Sequence, residues 1–148
     1  MKPYPHHYQV EASSDAEGPV ALVSGALPRL ETAPPEEFGG PGDHWSPETL
    51  LVGAVADCFV LTFRAIASAS GLAWTRLRAT ASGTLERVEG GPRFTAIQVD
   101  ATLAVPEGVD GQRALRLLEK AERSCLVTRS LSCPSTLHAQ VEKTNGPG

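Results

Sequence analysis

The chain has 148 residues, 41% of them apolar and 20% charged, with a formal net charge of −4. That is enough for one domain with a real core and short for two. Its 17 acidic and 13 basic residues are mixed along the chain and aromatics make up only 5%, so neither nucleic acid nor an anionic membrane is an expected partner.

The opening "MKPYPHHYQVEASSD" has no apolar signal-type region, and the longest uncharged apolar stretch, Leu50 to Ala56, is far shorter than a bilayer span. The expectation is a cytoplasmic protein, away from membranes, with its three cysteines reduced at rest. A cysteine here either fills core or does chemistry.

In chain order, "HYQVEASSD" alternates and predicts a strand turning near Glu17-Gly18, and "PVALVSGAL" predicts a second. "PRLETAPPEEFGGPGDHW" is dense in proline and glycine and reads as a loop, not a linker, because what precedes it is too small to fold alone. Ser46-Pro47-Glu48 is a helix start: a side-chain cap, a proline suited to the first helical position, and an acid that complements the dipole. The helix should run to Gly71, a residue suited to ending it. Because it is apolar almost all round from Leu50 to Phe63, it should be buried. Gly53, Ala54 and Ala56 leave one part thin enough for another backbone to approach.

Next, "WTRLRATASGTLERV" and "RFTAIQVDATLAV", joined by "EGGP", predict a long two-stranded hairpin. "DGQRALRLLEKAERSC" predicts an amphipathic helix capped by Asp110, with Leu115, Leu118, Ala121 and Cys125 on one face. "STLHAQVEK" predicts a last strand, and the tail "TNGPG" should fray. The sum is a single α+β domain over residues 1–148, with an antiparallel sheet and two long helices. A small sheet cannot cover an all-apolar helix of about six turns. Two such helices paired across a two-fold axis would cover each other, so a homodimer is expected.

Spacing alone favours Cys58 as core filling, since free cysteine packs like a small hydrophobe. Its helical neighbours Ala54, Val55, Leu61 and Thr62 should raise its pKa by desolvation, leaving it inert unless a cation is brought to it. Cys125, on the inward face of the second helix, could meet it at disulfide distance, with Cα atoms roughly 4.4–6.8 Å apart. Cys125, Cys133 and His138 lack the spacing that anchors a metal site, so no metal is expected, and no nucleotide-cofactor fingerprint occurs. Phe59 and Phe63 serve equally well as core or, with Leu51 and Val55, as an apolar pocket.

"HWSPETLLVGAVADCFVLTFRAIA" followed later by "EKAERSCLVTRSL" resembles the OsmC and organic hydroperoxide resistance (Ohr) family. That family has P-E-x-L-L, a cysteine ten residues after the glutamate, and a second cysteine in a C-P-[VI]-S-x-x-L setting. Pro47, Glu48, Leu50, Leu51 and Cys58 match the first part; Cys125, Val127, Thr128 (for serine) and Leu131 match the second. Leu126 stands where the pattern has proline, and a Cys-Pro pair occurs instead at Cys133-Pro134. The resemblance implies an antioxidant thiol peroxidase of osmotic and oxidative stress, an intertwined homodimer without cofactor. In this scheme Cys58 attacks an organic hydroperoxide, Cys125 closes a disulfide with it, and an external thiol or dithiol reductant resets the pair. It also implies an arginine that activates the thiolate and a glutamate that orients it. Glu48 takes the glutamate's place, and Arg29, the one arginine before Cys58, takes the arginine's.

Glu48 and Cys58 lie about 15 Å apart along one helix. If both are catalytic, either Glu48 serves Cys58 of the other subunit or the helix breaks near Gly53. Two other classes fit the same residues: a non-catalytic dimer binding a small apolar ligand, and a peroxide-responsive redox sensor.

Overall fold

Alternation in the first part of the chain produces three short strands, β1 (Glu11–Ser13), β2 (Val20–Val23) and β3 (Leu30–Thr32). They pair antiparallel in the order β1-β2-β3, with Ala21 opposite Ser13 on one side and Glu31 on the other. The third strand falls inside the stretch expected to be loop. Three residues are too few to show a period, and β2 supplies the pairing that makes them a strand.

Pro34 and Pro35 end it, and a 3-10 turn, Glu36–Phe38, is closed by Gly39 at φ 86°. At Gly40 the backbone comes so close to Pro34 that a Cβ would lie 1.6 Å from the Pro34 carbonyl oxygen.

This computed structural model describes residues 1–144, so the fraying expected beyond Thr144 lies outside the described residues. The chain divides into two compact units, Met1–Leu51 and Val52 onward, and helix α1 (Pro47–Ser70) begins in the first and continues through the second. Its start is a reciprocal cap. Ser46 Oγ accepts the Thr49 N–H at 3.1 Å, and Thr49 Oγ1 accepts the Ser46 N–H at 2.8 Å. Its end is a Schellman motif: Gly71 takes φ 66°, the Leu72 N–H reaches the Ala67 carbonyl at 3.0 Å, and Gly71 N–H reaches that of Ser68 at 3.3 Å.

In the second unit β4 (Arg76–Val88) and β5 (Gly91–Pro106) form the expected hairpin, with one bulge at Thr84/Leu85. Helix α2 (Gly111–Ser124) follows, its first turn capped by Asp110 Oδ1, which accepts the Gln112 N–H at 3.0 Å. A four-residue helix, α3 (Leu126–Arg129), comes next, then β6 (Ser135–Thr144). β6 runs parallel to β5, from Ile97 opposite Ser135 to Pro106 opposite Thr144. The helical crossover brings the chain back in the same direction, so this sheet is mixed where an antiparallel one was expected. The α+β class stands.

One stripe of α1 (Val55, Phe59, Phe63, Ala67) packs with the inward residues of β5 (Ile97, Val99, Ala101, Leu103) and of α2 (Ala114, Leu118, Ala121). Phe63 meets the edge of Trp74 with ring centroids 5.4 Å apart. α1 was expected to be buried all round, yet within this unit only that stripe is buried, and Leu61 is 51% exposed. By length and mean hydropathy (1.9) the helix could cross a membrane. Asp57 and Arg64 lie within it, however, and its Phe59–Phe63 stripe closes the core, so here it is a core helix.

Candidate functional site

α1 presents Cys58 on the face beside its buried stripe, half-buried, with Thr62 one turn on and its Oγ1 3.8 Å from the Cys58 sulfur. Cys125 lies just past the end of α2, where φ −64° and ψ 110° take the backbone out of the helix before α3 begins. The sequence reading had put it within the helix. It is buried, 1% exposed, and its sulfur accepts the Thr128 hydroxyl at 3.4 Å. All three cysteines of the chain are free, and the Cys58 and Cys125 thiols each bear on the ionisation of the other.

Their surroundings polarise them in opposite directions. For Cys58 the largest single effect is burial, which pushes the thiol pKa up. Against it stand the backbone N–H of Val127, the Cys125 thiol, the Thr62 hydroxyl and the backbone N–H of Leu126, which together outweigh burial and hold the thiol below its ordinary value. For Cys125 burial again comes first and raises the pKa. Thr128, through hydroxyl and backbone, works to lower it, but the hydrogen bond and negative charge of Cys58 add to burial and leave it raised.

The expectation that apolar neighbours would leave Cys58 with a raised pKa is therefore corrected. The donors that reverse it come from a segment far along the chain, which α2 delivers to the face of α1. They were invisible in the sequence because α3 is too short to show a helical period. Thr62, four residues after Cys58, was the one donor that spacing could have found.

The other candidates lie elsewhere. Glu48 is in the first turn of α1 and, within the first unit, lines an apolar cavity of about 480 Å³ with Val20, Leu22, Pro34, Phe38 and Leu50. Its Oε1 is buried without a hydrogen-bond partner. Arg29 is exposed before β3, its guanidinium 3.9 Å from Glu31, and among the described residues no ion pair joins it to Glu48. α1 shows no interruption at Gly53, which removes the broken-helix alternative. Val55, Phe59 and Phe63 are closed inside the core of the second unit, which favours the core over the pocket reading for them. Cys133 packs against that core, and His138 is exposed on the opposite, solvent face of β6.

Two cysteines from segments distant in the chain, one thiol drawn below its ordinary pKa and the other pushed above it, form a candidate thiol pair on an α+β scaffold. The chain belongs to the OsmC-like protein family, whose model matches residues 40–139 and so spans both units. It is 30% identical over 97 residues to the peroxiredoxin OsmC of Escherichia coli (strain K12), covering 66% of this chain and 67% of that protein. To YmaD, an uncharacterized protein of Bacillus subtilis (strain 168), it is 29% identical over 100 residues, 66% of this chain and 67% of that one.

Among solved structures, an OsmC-like protein of unknown function from Vibrio cholerae superposes with a TM-score of 0.83 at 12% identity, covering 91% of this chain and 99% of that one. An organic hydroperoxide resistance protein OsmC from Legionella pneumophila gives 0.74 at 23%, covering 95% and 99%. These two likenesses establish the fold.

Proposed function

We propose that this protein is a cytoplasmic thiol peroxidase that reduces organic hydroperoxides through Cys58 and Cys125, acting as a homodimer. The observation that carries the reading is the pairing of a half-buried thiol whose pKa is drawn down with a buried one whose pKa is pushed up. The Cys58 thiolate attacks the terminal oxygen of ROOH. The S–O bond forms as the O–O bond breaks, and the alkoxide takes a proton and leaves as ROH. The Cys125 sulfur then attacks the Cys58 sulfenic acid, forming the disulfide and releasing water. An external dithiol returns the pair to two thiols and is itself oxidised. The family relationship to a peroxiredoxin supports this direction.

We read the two units as one domain, since the family match spans both. The exposed side of α1, with Leu61 outward, supports pairing with a second copy across a two-fold axis. With α1 unbroken, Glu48 would serve Cys58 of that second copy. Glu48 and Arg29 keep the roles of orienting acid and activating cation, Arg29 turning from Glu31 to do so. The greasy lining around Glu48 favours an alkyl or lipid hydroperoxide over hydrogen peroxide.

The test is consumption of cumene hydroperoxide and hydrogen peroxide by reduced protein with a dithiol reductant, with intact mass recorded before and after. The reading expects preference for the organic peroxide and a loss of two hydrogens, both absent from Cys58→Ser. In Cys125→Ser the sulfenic acid should persist. Undiminished peroxide consumption by Cys58→Ser would end it.

A further inference from the structure

Opposite its buried stripe, α1 carries a second one. Leu50, Ala54, Asp57 and Leu61 recur at the spacing of one helix face, and all are half-buried or exposed. Leu61 is 51% exposed and follows Cys58 by three residues, which sets the two side by side on the helix surface. Just before the Ser46 cap, Trp45 is 52% exposed. Its backbone is held in place: the Ala33 N–H donates to the Trp45 carbonyl at 3.0 Å, and Trp45 bridges to Thr32. An indole on a fixed backbone at the start of the helix and an apolar side chain beside the candidate thiol are thus both left exposed.

We propose that two copies of α1 cross antiparallel at Gly53, so that Trp45 of one copy packs on Leu61 of the other and walls its Cys58 site. The proposal rests on the dimer reading above. A two-fold axis along the helices would leave Glu48 and Cys58 as far apart between copies as within one. An axis across them brings the pair level only where it passes the residue midway between them, which is Gly53. Gly53 and Ala54 are small and not buried, so two backbones can approach there. The same axis sets each residue before Gly53 level with the one equally far beyond it in the other copy, and Trp45 and Leu61 are such a pair. Asp57 and Arg64 offer a rival register, since a crossing near Leu61 would pair them reciprocally. That crossing leaves Trp45 exposed. It also sets Glu48, whose Oε1 is buried without a hydrogen-bond partner among the described residues, about 22 Å along the axis from Cys58 of the other copy. Packed on Leu61, the indole offers its apolar face to a molecule bound at Cys58. Trp45 therefore selects organic hydroperoxides over hydrogen peroxide, which has no carbon to lay against it.

Paired cysteines test the register. Trp45→Cys and Leu61→Cys are combined in a Cys58→Ser/Cys125→Ser chain, so that the native pair cannot compete, and the protein is oxidised with copper phenanthroline. The expected product is a covalent dimer whose link maps to positions 45 and 61, with neither substitution alone giving one. A dimer linked through position 61 of both chains in Leu61→Cys alone puts the crossing at Leu61 and overturns the proposal. So does a link between 45 and 61 within one chain, or no covalent dimer at all. The readout for the wall is kinetic. Trp45→Ala should raise KM for cumene hydroperoxide about tenfold and change the rate with hydrogen peroxide by less than about twofold, with Trp45→Phe close to wild type. Equal losses with both peroxides would mark a merely structural role and overturn the wall.

Should the paired variant fail to fold, fluorescence decides. The chain has two tryptophans, and Trp74 packs edge-on against Phe63, so the difference between the spectra of wild type and Trp45→Phe isolates Trp45. In the dimer its emission should be that of a sheltered indole, moving to that of an exposed one on dilution to the monomer. A water-exposed spectrum in the dimer overturns the proposal. Because cross-linking and fluorescence need no peroxide, the two readings fail separately. A link between 45 and 61 without peroxide turnover sinks the peroxidase and leaves the crossing, whereas turnover without the link sinks the crossing.

Discussion

Closing a Cys58–Cys125 disulfide should stabilise the protein, and the positions of the two cysteines set the size of the effect. The bond would enclose about 68 residues, which removes roughly 4 kcal/mol of unfolded-chain entropy on the loop-closure model. Two effects subtract. Cys58 gives up its bond with Thr62 and the polar surroundings that favour its thiolate, and Cys125 gives up its bond from Thr128. Any shift of α3 needed to bring the sulfurs into bonding range costs more. A net gain of about 2–4 kcal/mol remains, and for a chain of this size each kcal/mol moves the thermal midpoint by roughly 2–4 °C.

The oxidised protein should therefore melt about 5–15 °C above the reduced protein. The assay is calorimetry of both forms at one protein concentration, so that assembly contributes equally, with Cys125→Ser carried through the same oxidation. Suppose the disulfide maps to Cys58 and Cys125 but the oxidised form melts no higher than the reduced. Then the sulfurs meet only by distorting the fold, and the neighbouring geometry described above is not that of the reacting pair. The same rise in Cys125→Ser would mean that another linkage is responsible.

Gly40→Ala should cost about 2–4 kcal/mol in urea titration, because its Cβ would overlap the Pro34 carbonyl, which is backbone and cannot swing aside. Thr128→Val removes a donor that lowers the Cys125 pKa. With less thiolate available, disulfide closure near neutral pH should slow several-fold, read from the lifetime of the Cys58 sulfenic acid under dimedone trapping. In the wild type, alkylation of Cys58 should rise with pH with its midpoint below the ordinary thiol value of 9.0, since its folded-state pKa is depressed. By linkage, the stability gained from that depression is complete above the unfolded-state pKa and is lost as pH falls through the folded one. Cys125 has the opposite sign: its raised pKa costs stability as pH climbs above the ordinary value, so urea midpoints of Cys58→Ser and Cys125→Ser should diverge from wild type in opposite directions on the alkaline side.

The ends of α1 were legible because their chemistry is local. Ser46 and Pro47 announce the start, and Gly71 supplies the left-handed residue that the Schellman end needs. The hairpin and the Asp110 cap were legible for the same reason. β3 was not, since its three residues owe their state to β2, and neither was the direction of β6, which depends on where the crossover lands. At the site, the apolar residues around Cys58 were readable from helical spacing and gave the desolvation with the right sign. The donors that overcome it, at Leu126 and Val127, belong to another segment, and only the packing of α2 and α3 brings them near. The resemblance named both cysteines and the order in which they act, but not the groups of this chain that surround Cys58.

The opposite shifts of the two thiols order the proposed cycle. While Cys58 is a thiolate, its charge and hydrogen bond help to keep Cys125 protonated, so only one of the two sulfurs is a nucleophile when peroxide arrives. Reaction with peroxide turns Cys58 into a neutral sulfenic acid. The charge that suppressed Cys125 disappears, while Thr128 goes on lowering its pKa. The second thiol thus becomes more acidic only after the first has been oxidised, when a nucleophile beside the sulfenic acid is needed. Burial remains throughout and keeps Cys125 from ionising fully, so the gate is partial. Closure should then be slower than attack, and a second peroxide could capture the sulfenic acid at high concentration, driving Cys58 to the sulfinic acid.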